Sequence, residues 1–197
     1  MSIPENSIEP LREVQSYWDK KAIEEASDCQ RIESGRRAQL MRFENFVIHH
    51  ELAGASILDV GCGVGDFYAH LERRQIASGY FGADLSVKMV ERCRERFPAG
   101  RFEAVNILDW TPPEPFDYTV AFAIHNVRID GGDKILREVT RRQFDLCRRA
   151  AHISLLTDRF PGFASHIQPW SPEEILTLAL SITPYVTLRH DYLPNDF

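Results

Sequence analysis

No stretch of the chain approaches the roughly 18 consecutive apolar residues that a membrane-spanning helix needs. The longest apolar tract, Ile175 to Ile182, is interrupted by Thr177 and Ser181. The first residues, Met1-Ser2-Ile3-Pro4-Glu5-Asn6, have neither the basic nor the apolar region of a secretory leader, so a membrane span and secretion are excluded as first readings. Cysteine is scarce. Cys29, Cys62, Cys93 and Cys147 form no C-x-x-C pair and have no histidine at metal-ligand spacing, which implies four reduced thiols in a cytoplasmic protein and no metal site. Positive charge is in deficit, with 23 Lys and Arg against 29 Asp and Glu and a net charge of −6. A protein living mainly on phosphate contacts would be basic on at least one face. The one basic cluster, Arg137, Arg141, Arg142, Arg148 and Arg149, reads as the solvated face of a helix, so nucleic acid is not favoured as a partner.

What is present is the content of one ordinary domain. A chain of 197 residues buries about 70% of its unfolded surface without needing disulfides or metal. The first fifty residues read as helices. Pro10 to Ala26 carries Val14, Tyr17, Trp18 and Ile23 at helical spacing, and Arg36 to His50 carries Leu40, Phe43, Val47 and Ile48. From residue 56 strands and helices alternate. Strands are expected at Ser56–Val60, Tyr80–Asp84, Arg101–Val105, Tyr118–Ile124, Ala151–Leu156 and Tyr185–Asp191. Helices are expected at Asp66–Arg74, from a Ser86 cap to Phe97, at Asp133–Arg149 with Cys147 on its apolar side, and from a Ser171 cap with Pro172 in the first turn. This order predicts an α/β fold with a doubly wound, mainly parallel sheet and a helical N-terminal extension. The extension covers residues 1–53 and the core residues 54–197 of a single domain.

The most informative segment is Ile57-Leu58-Asp59-Val60-Gly61-Cys62-Gly63-Val64-Gly65-Asp66. Glycines between a strand and a helix permit a tight turn and let a ligand approach without meeting a Cβ. A dinucleotide site uses G-x-G-x-x-G; here the pattern is G-x-G-x-G, with Asp59 before it and Asp66 after it. Two carboxylates beside the turn repel a pyrophosphate and suit a ligand carrying an ammonium and a sulfonium. The second strand ends in Asp84, where an acid can accept both hydroxyls of a ribose.

The run Ile57 to Phe67, the segment Gly82-Ala83-Asp84-Leu85-Ser86 and the segment Phe116-Asp117-Tyr118-Thr119-Val120 resemble the class I S-adenosylmethionine-dependent methyltransferases, a Rossmann-like family. The resemblance implies a seven-stranded sheet with the last strand antiparallel, S-adenosylmethionine as cofactor and S-adenosylhomocysteine as product. It implies that Asp59 and the Gly61 backbone hold the methionine ammonium, that Gly63 and Gly65 admit the cofactor, and that Asp84 takes the ribose with Leu85 against the adenine. By the same resemblance Asn106 reads the adenine amine beside Ile107, Arg42 pairs with the cofactor carboxylate, and Tyr17 and Trp18 form a lid. Two departures stand out. Arg148-Arg149-Ala150-Ala151 replaces the family's Pro-Gly-Gly turn, and the chain stops at Phe197 where the family would enter its last strand. The seventh strand is thus expected to be missing or shortened, leaving backbone groups of the fifth and sixth strands to be covered, for instance in a homodimer.

The acceptor belongs beyond the fourth strand, where Ala123-Ile124-His125-Asn126-Val127-Arg128 begins a loop. His125 is the candidate base or acceptor-orienting group, because imidazole titrates near neutral pH. Arg128 and Asp130 either grip an acceptor or form a solvated turn. The aromatic stretch Phe160 to Trp170 reads either as an acceptor lid or as a packed connector. The expected activity is methyl transfer to O, N or C of a small molecule. The alternatives are a non-catalytic cofactor-binding or scaffold protein on the same fold and an NAD-dependent oxidoreductase, which the glycine spacing and Asp59 disfavour.

Overall fold

The structure, a computed structural model, describes residues 8–24 and 35–197, with the side chains of residues 11–22 in the first helix. Ala26 (the expected end of that helix), the Ile23 side chain and Cys29 lie outside the described residues. In chain order the elements are α1 (Ile8–Glu24), α2 (Arg36–Val47), β1 (Ser56–Val60), α3 (Asp66–Arg73), β2 (Gly79–Asp84), α4 (Val87–Arg96), β3 (Phe102–Ala104), β4 (Phe116–Phe122), α5 (Gly132–Asp145), β5 (Cys147–Ser154) and α6 (Pro172–Leu180).

The five strands form one parallel sheet in the order β3-β2-β1-β4-β5. β1 is central because it is apolar on both faces, as a covered parallel strand must be. Ile57 packs on one side with Phe43 and Phe46 of α2, Phe67 of α3 and Tyr118 of β4. Leu58 and Val60 pack on the other side with Phe81, Ala121, Ile135 and Val139. Successive strands run outward from β1 in both directions, so the order reverses between β1 and β4. In open α/β sheets, ligands bind at the carboxyl ends of the strands flanking such a reversal. Caps fix two of the helices: the hydroxyls of Ser86 and Ser171 accept from the backbone N–H groups of Met89 and Glu174.

Three expectations need correction. α5 ends at Asp145 and β5 begins at Cys147, so Cys147, Arg148 and Arg149 belong to a strand rather than to a helix or a preceding turn. Arg149 lies over the Tyr118 ring, 5.7 Å from its centroid, and pairs with Asp117 at 3.4 Å, while Arg148 pairs with Glu114 at 2.8 Å. The ladder with β4 holds the basic pair in extended backbone, and these partners lie along the neighbouring strand and the loop before it. Phe144, expected on the inner side of the helix, is exposed. The sixth strand expected at Tyr185–Asp191 does not form; Tyr185 is 90% exposed. A strand there would bury little apolar surface.

The final residues instead extend the sheet locally. Leu155 and Phe197 exchange both backbone hydrogen bonds at 2.9 Å, and the Thr157 N–H donates to the Asn195 carbonyl at 3.1 Å. Phe197 inserts into an apolar cluster with Leu136, Leu155 and Leu178. Asp196, fully buried, meets the guanidinium of Arg42 at 2.5 Å and accepts from the Tyr192 hydroxyl.

Candidate active site at the carboxyl ends of β1, β2 and β4

The turn after β1 is the foundation of the site. Gly61, Gly63 and Gly65 all adopt positive φ, at 72°, 56° and 78°, a region that costs an L side chain roughly 1–2 kcal/mol. A Cβ on Gly61 would stand 2.3 Å from Cγ2 of Ile124, whereas one on Gly63 would meet nothing within 4 Å. The first glycine is needed for close packing against the end of β4, and the second opens onto free space. Asp84 at the end of β2 secures the turn. One carboxylate oxygen accepts from Gly63 N and the other from Ser86 N, each at 2.8 Å. Burial outweighs these bonds and pushes the Asp84 carboxyl up to about 6.

A cavity of about 490 Å³ opens above this turn, within the roughly 300–1,000 Å³ typical of small-molecule sites. Its wall includes Gly61, Gly63, Asp66, Asp84, Leu85, Asn106 and Ile107 from the sheet ends. Helix α1 forms a roof: Leu11, Val14, Tyr17 and Trp18 all line the cavity, the last two edge to face at 5.1 Å. Asp19 anchors that roof by accepting from the Ser86 hydroxyl at 2.5 Å and from Lys88 N at 3.3 Å. One serine thus caps α4 and ties it to α1.

The opposite wall is made by the loop after β4 and by residues 164–170. Ala123 has φ 62°, an uncommon conformation for a residue with a Cβ, and it turns the chain so that Ile124, His125 and Arg128 line the cavity. The two segments are zipped together. Val127 and Ile167 form an antiparallel bridge, and Arg128 N donates to the His166 carbonyl and Gln168 N to the Asn126 carbonyl, each at 2.8 Å. The Trp170 indole N–H donates to the His125 carbonyl at 2.9 Å. His166 and Trp170 face the cavity. The segment Phe160 to Trp170 therefore contributes to the wall.

The expected site residues divide. Tyr17, Trp18, Gly61, Gly63, Asp84, Leu85, Asn106, Ile107 and His125 come together around the cavity. Gly65 instead stands at the α3 N-terminus, where an added Cβ would press on Phe97 and Cys93. Asn106 also closes its own turn, accepting from Leu108 N at 3.1 Å and donating to Asp109 at 3.0 Å. Asp59 is out of place: it is 2% exposed, does not line the cavity, and accepts a 2.6 Å hydrogen bond from the Tyr80 hydroxyl. Residues alternate across a strand, so Val60 faces the cavity side and Asp59 the α2–α3 side. Burial raises the Asp59 carboxyl to about 7. Arg42 is also absent from the wall, its guanidinium engaged by Asp196. Asp66, read from sequence as a carboxylate beside the glycine turn, lines the cavity; Gln39, Met89 and Phe122 also line it and carried no sequence signal.

His125 is buried, and its Nε2 has no hydrogen-bond partner among the described residues. Desolvation pushes its pKa down to about 4, so the imidazole is neutral at physiological pH. Among the described residues no group of three or more His, Cys, Asp or Glu could hold a metal ion.

Residues 57–143, from β1 to the end of α5, match the model of a methyltransferase domain family. The match covers less than half of the chain. A trans-aconitate 2-methyltransferase of Rhodopseudomonas palustris is 34% identical over 73 residues, 37% of this chain and 28% of that protein. The matched part thus spans little more than a quarter of that relative's length. In three dimensions the likeness extends further and is one of fold. The magnesium protoporphyrin IX methyltransferase of Synechocystis with bound S-adenosylmethionine has a TM-score of 0.68 at 13% identity, covering 88% of this chain and 85% of that one. A protein described as a [4+2]-cyclase has a TM-score of 0.61 at 17% identity, covering 87% and 72%. The methyltransferase fold is therefore shared with a protein described by different chemistry, and the fold by itself does not fix the reaction. No helix among the described residues is long and apolar enough to cross a membrane.

Proposed function

We propose that the chain is an S-adenosylmethionine-dependent methyltransferase acting on a small-molecule acceptor. The observation that carries this is the glycine turn clamped by Asp84, with open space above Gly63 inside a roofed cavity. The residues present fit the cofactor. The Asp84 oxygens keep lone pairs beyond those given to Gly63 and Ser86, enough to accept ribose hydroxyls. Leu85 and Ile107 supply apolar surface for a purine, with Asn106 at its edge. Asp66, on the wall and bonded to Gln39 at 3.2 Å, replaces Asp59 as the carboxylate for a ligand ammonium. Tyr17 and Trp18 exclude water from above.

The bound cofactor would supply an electrophilic methyl group on a sulfonium. The protein's share is alignment and the exclusion of water. His125, neutral and buried, orients the acceptor by hydrogen bonding. Its depressed basicity argues against proton abstraction at neutral pH. The three acids of the wall, Glu13, Asp66 and Asp84, favour a cationic cofactor over a pyrophosphate, which weighs against the oxidoreductase alternative.

Titration calorimetry with S-adenosylmethionine, S-adenosylhomocysteine and NADH tests this directly. Micromolar binding of the first two and none of the third is expected. Binding of NADH alone would overturn the assignment, and tight cofactor binding without methyl transfer to any small molecule would favour the scaffold alternative.

A further inference from the structure

The cavity wall has an uneven charge distribution. Among its described residues Arg128 is the one lysine or arginine. Its guanidinium makes a single hydrogen bond, from Nη2 to the Ile167 carbonyl at 3.2 Å, and no ion pair among the described residues. That bond orients the side chain across the zipped segments 126–128 and 166–168 and leaves its other donors available. The wall carboxylates do not neutralise it. Asp66 is bonded to Arg96 at 2.7 Å and Asp84 to two backbone N–H groups, while Glu13 belongs to α1 on the roof. At this end of the cavity the buried His125 carries an unpartnered Nε2.

We propose that the methyl acceptor is a small-molecule carboxylate, held by Arg128 and methylated on a carboxylate oxygen to give an ester. The inference rests on the methyltransferase reading above and narrows its acceptor. A guanidinium with free donors pairs with a carboxylate in a planar, bidentate geometry. An amine acceptor would meet like charge there, and a neutral acceptor would leave the exposed guanidinium to water, without the charge-assisted pair that a carboxylate gives it. The chemistry of the wall agrees with the charge. An oxygen lone pair of the carboxylate forms the O–CH3 bond as the C–S bond of the sulfonium breaks. The C–S electron pair stays on sulfur, and no proton is released. A carboxylate therefore needs alignment but no base, which matches a His125 imidazole too weakly basic to take a proton at neutral pH.

The test uses the whole chain saturated with S-adenosylhomocysteine. Trans-aconitate, citrate and succinate are titrated by calorimetry, each against its fully esterified form, into wild type and into Arg128→Ala and Arg128→Lys. At least one acid is expected to bind ten times more tightly than its ester, and Arg128→Ala to lose at least tenfold of that affinity. Arg128→Lys should recover part of the loss, and S-adenosylhomocysteine affinity should stay within threefold of wild type. With methyl-labelled S-adenosylmethionine the labelled product of the bound acid should release methanol in alkali, as an ester does. If no acid outbinds its ester, if Arg128→Ala binds the acids as wild type does, or if the label is stable to alkali, the proposal is overturned while the methyltransferase reading stands. Failure of wild type to bind S-adenosylhomocysteine would overturn both.

Discussion

Asp59→Asn should make the protein more stable at alkaline pH, although it removes an acid that the family resemblance places at the cofactor. The carboxylate is 2% exposed, and its one hydrogen bond is donated by Tyr80. Burial raises its pKa from 3.8 to about 7. The folded pKa therefore lies above the unfolded one, and between these values the native state binds more protons than the unfolded state. Stability must then fall as pH rises through this window. A shift of about three units at 1.36 kcal/mol each amounts to about 4 kcal/mol in total, of which about 3 kcal/mol is lost between pH 5 and pH 8. Asparagine keeps an acceptor for the Tyr80 hydroxyl but adds a buried amide donor, which costs about 1–3 kcal/mol if it finds no partner. The variant should therefore be no more stable than wild type at pH 5 and more stable by about 1–3 kcal/mol at pH 8. Asp84, raised to about 6, titrates in both proteins and largely cancels in the difference. Urea unfolding at the two pH values measures the gap. A gap that does not widen from pH 5 to pH 8 would refute the assignment of Asp59 as a desolvated, uncompensated acid, and a more than tenfold loss of S-adenosylhomocysteine affinity would return it to the cofactor site.

Further outcomes are expected elsewhere in the site. Asp84→Ala should weaken S-adenosylmethionine binding by about 1–3 kcal/mol, through the lost hydrogen bonds of a charged acceptor and a loosened Gly63 turn; calorimetry showing wild-type affinity would remove the ribose role. His125→Ala should lower turnover more than cofactor affinity, and any inflection between pH 6 and 7, where Asp84 titrates, should persist in the variant because burial holds the imidazole pKa at about 4; a rate that rises through pH 6–7 and loses that rise in the variant would make His125 the base. Asp196→Ala should destabilise the protein by about 3–5 kcal/mol by removing the carboxylate that faces the buried Arg42, read as a shift in denaturation midpoint.

The elements that were legible in the sequence are those whose signal is local. β1 falls on its expected residues, and the Ser86 and Ser171 caps form as expected, because each rests on a short apolar run or on a side chain reaching its own backbone. The glycine turn and Asp84 were legible for the same reason: positive φ admits few residue types, and an acid at a strand end has a limited set of uses. Long-range partners were not legible. Arg42 and Asp196 lie 154 positions apart, and nothing near either residue announces the other. Asp59 was misplaced because its position beside the turn is clear from sequence but its side-chain direction depends on strand parity. The boundary between α5 and β5 was misjudged because Arg148 and Arg149 suit a helix surface as well as an edge strand. The long-range ladder of β5 on β4, from Phe116–Cys147 to Phe122–Ser154, decides it.

The charges around the cavity separate along its length. Acids stand on the cofactor side, where Asp66 and Asp84 are fixed by Gln39, Arg96 and backbone N–H groups. Arg128 stands on the loop after β4, held by Ile167, where the proposed acceptor would bind. Arg42, which the family resemblance pairs with the cofactor carboxylate, is engaged by Asp196 instead, and among the described residues no second guanidinium lines the wall. Under the proposed assignment, these charges of opposite sign would orient a cationic donor and an anionic acceptor through their fields. The same arrangement disfavours the reversed placement, in which a sulfonium would face Arg128 and a carboxylate would face Asp84. Orientation here follows from which side chains are already committed within the protein, and that commitment is visible only in the folded structure.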